Sequence, residues 1–320
     1  MTLPGAEALT IILLALVGDG IIAGLPGLRL VLASPIAAMA VLSRWLDRRL
    51  NRPQRSASNR KFRGAIAAVF MLGLAFGIGT GLEELASRVP RGWMWEVLLA
   101  TTMLTQRRGM DTSRNIRKAL DRNELDAARI LLGREVSYDT SHEDAHGLAR
   151  GAVETCAMRF CDGVVAPVFW YVTLGLPGLI AFRAINVMAH ALGDRSGAFG
   201  MTAARLDRVL NIVLAPICGV VISVSAAFAP TANPVQAFKV MGDAVRGRGS
   251  IVAPWTMGAM AGALGLALGG PRRDGAEPWI GDGRARTLPQ DIGRAIFIYA
   301  VAGMITAGTI LLLALYAAGR

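Results

Sequence analysis

The chain has 320 residues, of which 53% are hydrophobic and only 18% charged, below the roughly one quarter charged residues of an average soluble protein. The excess of 34 Lys and Arg over 23 Asp and Glu, +11 overall, is scattered between apolar runs of about 19 residues or more. That pattern excludes a nucleic-acid surface and points to a membrane protein with basic loops. Three cysteines without regular spacing exclude a disulfide framework.

In chain order, residues 8–28 are apolar but include Asp19 and several glycines, which makes them a weaker span. The N-terminus lacks the basic region and small-residue cleavage site of a signal peptide, so residues 8–18 are expected to stay in the mature protein. Residues 44–63 carry Arg44, Arg48, Arg49, Arg52, Arg55, Arg60, Lys61 and Arg63 against Asp47 alone. This loop is expected on the cytoplasmic side. Residues 64–82 are a charge-free span, whereas 93–105 open with Trp-Met-Trp-Glu and are short for a crossing.

The segment 163–182 is long enough to span, yet Pro167, Gly175, Pro177 and Gly178 interrupt its helical hydrogen bonding. Broken helices at membrane depth need cover from protein or a cavity. If the segment dips in and returns, the Arg-bearing loops 183–208 and 271–294 fall on the same side as 44–63, and the Lys/Arg distribution favours this re-entrant reading over a crossing. Residues 209–229, which exit at Pro230 and Pro234, and residues 251–270 and 295–318 are further spans. The last would reach about 36 Å as a helix, beyond a hydrocarbon core of about 30 Å. Trp93, Trp95, Trp170, Tyr171, Trp255 and Tyr316 lie near span ends, as interfacial aromatics do. The fold class read from these segments is all-α: a polytopic integral membrane protein with about five to seven membrane segments, a re-entrant pair among them. It is read as a single membrane domain, 1–320, with a polar cytoplasmic helical insert at 106–150.

In that insert Ile116, Leu120, Leu125, Ala128 and Leu132 fall near helical spacing, with Gly133 as a stop. The charged remainder reads as a solvated face, or as a contact for phosphate or a membrane surface. His142-Glu143-Asp144-Ala145-His146 spells an HExxH. On a helix its two imidazoles would share a face and bind zinc, with Glu143 as general base. The flanks are polar and Gly-broken and no third ligand follows at a recognisable spacing, so a solvated turn or helix start is preferred and no metal is assigned.

Ionisable groups beside apolar segments are costly and usually face partners or a cavity. On a helix Glu154, Met158 and Asp162 would share one stripe, where two carboxylates could bind a cation or one could act as base toward an amine; the structural alternative is an Asp162 salt bridge to Arg159. Cys156 and Cys161 read as small buried hydrophobes. Residues 182–216 add Asn186, His190, Asp194, Arg195, Arg205, Asp207, Arg208 and Asn211. At helical spacing Arg205, Arg208 and Asn211 would hold an anionic ligand, or the arginines would anchor a span by snorkelling. His190 reads as a packing residue.

Arg150 with Val153-Glu154-Thr155, Asp162-Gly163, Ala166-Pro167, Asn186, Arg205, Asp207 and Asn211, the run 261–265 and Pro278-Trp279-Ile280-Gly281-Asp282 occur in a fixed order. With Gly18-Asp19 and Asp139-Thr140, this order resembles the CobD/CbiB family of cobalamin biosynthesis across nearly the whole chain. The resemblance implies a multi-pass protein of the bacterial inner membrane that joins an aminopropanol-type amine, usually phosphorylated, to a propionate carboxyl of adenosylcobyric acid. It implies ATP and Mg2+ as cofactors and a corrinoid and a small amine as substrates. The partners expected are the lipid bilayer and those substrates, with no nucleic acid. Glu154, Asp162, Asn186 and Asp207 are the expected catalytic residues, and Asp19, Arg205, Asn211 and Asp282 the expected substrate-binding ones.

Several positions depart from the family pattern. Gly18-Asp19-Gly20 and Leu25-Pro26 stand for Gly-Asp-Pro and His-Pro, and Met158 and Arg159 for an acid and an amide. Asn186-Val187-Met188-Ala189-His190 lacks an aspartate. Gly193-Asp194-Arg195 replaces Gly-Tyr-Lys, and Arg208 a second aspartate. Arg248-Gly249-Ser250-Ile251-Val252 replaces His-Ser-Ser-Pro-Asn, Met257 a glutamate, and Ser137-Tyr138 a Gly-Arg. An acid-rich pattern has become neutral or basic, so the alternative is a catalytically impaired paralogue that binds a ligand or a membrane protein partner.

Overall fold

The computed structural model describes residues 5–22, 34–193, 196–246, 252–272 and 275–319. Leu25-Pro26, Asp194-Arg195 and Arg248-Gly249-Ser250-Ile251 therefore lie outside the described residues. The chain forms two compact units, the first comprising residues 1–105, 166–210 and 307–320 and the second residues 106–165 and 211–306.

The first unit is built from α1 (Ala6–Ile22), α2 (Ser34–Leu50), α3 (Ala57–Arg88), α4 (Trp93–Met103), α8 (Ala166–Leu192) and α9 (Met201–Leu210). Helix α3 starts at Ser56, whose hydroxyl accepts the Asn59 N–H, an N-cap that satisfies one orphan donor of the first turn. Its buried face is a stripe of small residues, Gly64, Ala67, Ala68, Ala75 and Gly79, with Met71. Its large apolar side chains point outward, Phe62 and Val69 being 67% and 65% exposed. Small residues inward and large apolar ones outward is the arrangement of a helix that packs against protein and faces lipid. Helices α3, α2 and α9 all pack against α8.

Helix α8 is broken at Gly175, which has φ 66° and ψ −157°, a conformation open to glycine and closed to residues with a Cβ. A straight helix would separate residues 170 and 182 by about 18 Å along its axis. The rings of Trp170 and Phe182 instead stack with centroids 6.5 Å apart, so the chain folds back on itself as a helical hairpin. The breaks at Gly175 and Pro177 thus shape the hairpin.

The second unit holds the polar insert, α5 (Gln106–Asp121) and α6 (Leu125–Gly133), followed by α7 (Ala145–Phe160). Ile116, Leu120, Ala128 and Leu132 are buried, and α6 ends at Gly133 as its spacing predicts. Cys161–Val165 is a π-helical turn, and α10 (Leu214–Ser225), α11 (Pro234–Arg246) and α12 (Ala253–Leu264) complete the helical core. The antiparallel hairpin β1 (Leu268–Arg272) and β2 (Gly275–Ile280) follows, and α13 (Pro289–Ala318) begins in this unit.

Among the described residues three helical segments are long and apolar enough to cross a membrane, Ala57–Arg88, Ala145–Leu192 and Pro289–Ala318, or four if Met201–Leu210 and Leu214–Phe228 form one broken span. The chain is a nearly all-α membrane protein. The stretch 251–270 differs from its reading as a span. Helix α12 has 12 residues, about 18 Å, and stops at Gly265 in the left-handed conformation. Glycine and proline in the following Leu-Gly-Gly-Pro direct the chain into β1 instead.

Candidate active site

In the second unit the family-like motifs come together around α7. Asp144 caps this helix, its carboxylate accepting the Gly147 N–H at 2.7 Å. Further along α7, the buried Glu154 carboxylate accepts the backbone N–H of Gly269 at 2.6 Å. Gly269 and Gly270 have φ of 74° and 86°, the left-handed region that β-strand residues with a Cβ avoid. Two glycines therefore let the edge of β1 present its amide to Glu154. Arg150, one turn before Glu154, lies over the Trp279 ring at 5.0 Å. The Arg-x-x-Val-Glu-Thr, Leu-Gly-Gly and Pro-Trp-Ile-Gly-Asp segments, remote in sequence, thus meet in one cluster.

Asp162 is buried within the π-helical turn. Such turns re-aim side chains and recur at functional sites. Asn211 is 1% exposed, and its Oδ1 accepts from the Cys161 thiol at 3.8 Å, which places it beside the Asp162 turn. Asp282 is exposed at the end of the Pro-Trp-Ile-Gly-Asp segment. Arg159 pairs with Glu135 at 2.8 Å, so the salt-bridge alternative drawn between Arg159 and Asp162 gives way to a partner on the insert side. Met158 accepts the Thr256 hydroxyl at its sulfur, 3.7 Å away. The free cysteines 156 and 161 are buried.

In the first unit Asn186 and Asp207 form a direct pair, Nδ2 donating to the Asp207 carboxylate at 3.0 Å. Arg183, 3% exposed, donates to Asn186 Oδ1 at 3.3 Å, to the Met103 carbonyl at 2.7 Å and to the Thr105 hydroxyl at 3.2 Å. A buried guanidinium is tolerated when its donors are satisfied in this way. Sequence reasoning missed Arg183. Its signal was a single cation inside the apolar Leu-Ile-Ala-Phe-Arg-Ala-Ile-Asn run, one turn before Asn186. Asp19 lies on α1 beside Gly18, which packs on Thr101 near the end of α4 whose Met103 carbonyl holds Arg183. Arg205 is exposed on α9. His190 bonds the Asn186 carbonyl through Nδ1 at 2.8 Å. Helix α9 ends at Leu210, so Asn211 leaves the face on which Arg205 and Arg208 sit, and the expected Arg205–Arg208–Asn211 stripe does not form.

The structure thus divides the sequence-derived set. Asp19, Asn186, Arg205 and Asp207 belong to the first unit and Glu154, Asp162, Asn211 and Asp282 to the second. The HExxH segment is not a helical pair of ligands. His142 and Glu143 precede the Asp144 cap, and His146 is bound through Nδ1 to the Thr287 carbonyl at 3.0 Å. Among the described residues no group of three or more His, Cys, Asp or Glu is placed to hold a metal ion.

Comparison with known proteins agrees with the motif order. A family model described as CobD/Cbib protein matches residues 12–299. A cobalamin biosynthesis protein CobD from a Sinorhizobium species is 34% identical over 319 residues, covering 96% of this chain and 98% of the relative. Its namesake in Rhizobium meliloti is 32% identical over 307 residues, with 92% and 93% covered. The one in Citrobacter koseri is 30% identical over 278 residues, with 81% and 86% covered. No solved structure matches. The chain belongs to the CobD/CbiB family of cobalamin biosynthesis proteins.

Proposed function

We propose that the chain joins an aminopropanol-type amine, free or phosphorylated, to a propionate carboxyl of adenosylcobyric acid, giving adenosylcobinamide or its phosphate at the bacterial inner membrane. The observation that carries this reading is the buried Glu154 carboxylate, 2.6 Å from the Gly269 amide, at the meeting point of three motifs that resemble the family's. The reaction forms an amide C–N bond. The amine gives up a proton, and the carboxylate loses an oxygen that an activating group must carry away. ATP with Mg2+ is the expected activator and enters as co-substrate.

Within this reading Glu154 or Asp162 orients the ammonium and takes its proton, general-base work that is typically worth about 10²- to 10⁴-fold in rate. Asn186 fixes Asp207, and Arg205, exposed nearby on α9, clamps a phosphate or propionate by its fork. Asp19 is assigned a substrate contact in the first unit, and Asn211 and Asp282 in the second. Holding the acyl carbon beside the amine supplies the rest of the acceleration through proximity.

A second reading, a family member that no longer makes the amide and instead binds a ligand or a membrane protein partner, is favoured by two contacts. Met158 packs on Thr256 and Arg159 is committed to Glu135, where the family pattern has an acid and an amide. Complementation of a strain lacking the synthase separates the two. Rescue by the wild-type chain and its loss with Glu154→Ala support the enzyme. Normal membrane insertion without rescue supports the second reading.

A further inference from the structure

Two adjoining cavities lie in the second unit between α5 and the start of α13. The larger, about 310 Å³, is lined by Arg117, Thr231, Leu264, Arg294 and Phe297 among others. The smaller, about 250 Å³, is lined by Arg114, Arg117, Lys118, Asp121, Gly293 and Ile296. Arg117 and Gly293 belong to both. A Cβ at position 293 would meet the end of the Arg117 side chain, so glycine there leaves room for the guanidinium in its present place between the two spaces.

The lining is cationic. Arg114, Arg117, Lys118 and Arg294 line the two spaces with one carboxylate, Asp121, and Arg114 also pairs with Asp111 at 3.3 Å. Asp121 pairs with Arg117 at 3.6 Å, with the side chains 51% and 42% exposed, and an ion pair this open to solvent is worth little and can be exchanged for another anion. Lys118 has no carboxylate partner among the described residues. Arg294 donates to the Thr231 carbonyl at 2.7 Å and reaches Asp291 at 3.2 Å, while its Nε is buried without a partner. Phe297, 45% exposed, adds an apolar wall where the charge-free run of α13 begins.

We infer that the two cavities form one binding site for a phosphate ester, its oxygens held by Arg114, Arg117 and Lys118 with Arg294, and its apolar portion lying along Phe297. Basic pockets at the polar ends of membrane helices suit anionic headgroups, and arginine forks match phosphate oxygens in pairs. The same chemistry admits two sources, the headgroup of an anionic phospholipid or a soluble phosphate. The site uses none of the residues assigned to amide synthesis.

The test uses the full chain purified in a neutral detergent and titrated in separate arms with phosphatidylglycerol, phosphatidylcholine and inorganic phosphate, binding being followed by native mass spectrometry or by tryptophan fluorescence. Binding of phosphatidylglycerol at least about tenfold tighter than phosphatidylcholine, and weakened about tenfold or more by Arg117→Ala with Lys118→Ala, is expected for a lipid headgroup, each cation near a charged surface contributing about fivefold. Binding of inorganic phosphate with the same sensitivity to these variants assigns the site to a soluble phosphate. Lys118→Gln alone alters one exposed side chain and is expected to cost about fivefold with the fold intact. Gly293→Ala, which displaces the Arg117 guanidinium, is expected to weaken the same ligand. Phosphatidylglycerol and phosphate binding that is absent, or unchanged in Lys118→Gln and in the double variant, overturns the inference.

Discussion

The Asn186 cluster of the first unit and the Glu154 cluster of the second hold their buried polar groups by different means. In the first, the Asn186 side chain holds both Arg183 and Asp207, and the guanidinium also donates to the Met103 carbonyl and the Thr105 hydroxyl. In the second, Glu154 is held by a backbone amide that only a glycine conformation presents. A side-chain network can be re-satisfied by an isostere with the same hydrogen-bonding pattern. A backbone donor cannot be exchanged, so its strand must be kept. The contrast explains why the second cluster depends on a Gly-Gly pair far from Glu154 in sequence, while the first depends on which side chains stand at positions 183, 186 and 207.

The largest effect is expected from Arg183→Met, which leaves the Met103 carbonyl and Asn186 Oδ1 without their donor in a buried site. Stability should fall by roughly 3 kcal/mol, with Arg183→Lys intermediate because it keeps the charge and loses the fork. Thermal unfolding in detergent measures both, and a fall no larger than that of an exposed arginine variant would remove Arg183 from the network. Next comes the second cluster. Glu154→Ala leaves the Gly269 amide unsatisfied at about 2 kcal/mol, and Gly269→Ala costs about 1–2 kcal/mol for its left-handed backbone. Because the two residues share one hydrogen bond, the double variant should lose less than the sum. Full additivity would separate them.

Asp207→Asn keeps an acceptor for Asn186 and should change stability by less than about 1 kcal/mol, while activity falls if the carboxylate's charge is used. Unchanged activity in Asp207→Asn would make the first cluster purely structural. Arg205→Ala is expected to shift stability by no more than about 0.5 kcal/mol, as for other exposed positions. Its signature is a raised KM for the phosphorylated amine, and an unchanged KM would remove Arg205 from the substrate site.

Features with a local period could be read from the sequence. The apolar runs of α3 and α13, the insert helices with Ile116, Leu120, Ala128 and Leu132 inside, and the break at Gly175 that folds α8 back all follow from spacing and from glycine or proline chemistry. Contacts between distant segments could not. Glu154 is singled out by its burial cost, but its partner Gly269 is 115 residues away and contributes only a backbone amide, a group every residue but proline carries. Asn186 and Asp207 each stand out as polar groups next to apolar helices, yet their pairing depends on how α9 packs against α8. The Arg205–Arg208–Asn211 stripe assumes a helix through position 211, and α9 ends one residue earlier. The β1–β2 hairpin is hidden because its glycines and proline spoil the alternation that marks a strand.

The most direct test is formation of adenosylcobinamide phosphate from adenosylcobyric acid, aminopropanol phosphate and ATP by membranes carrying equal amounts of the wild-type chain or Glu154→Gln. Glutamine keeps the acceptor for Gly269 and removes the charge, so the account predicts product from the wild type and a rate lower by about 100-fold or more in the variant at unchanged thermal stability. Equal rates from the two chains, or no product from a fully inserted wild type, would contradict it.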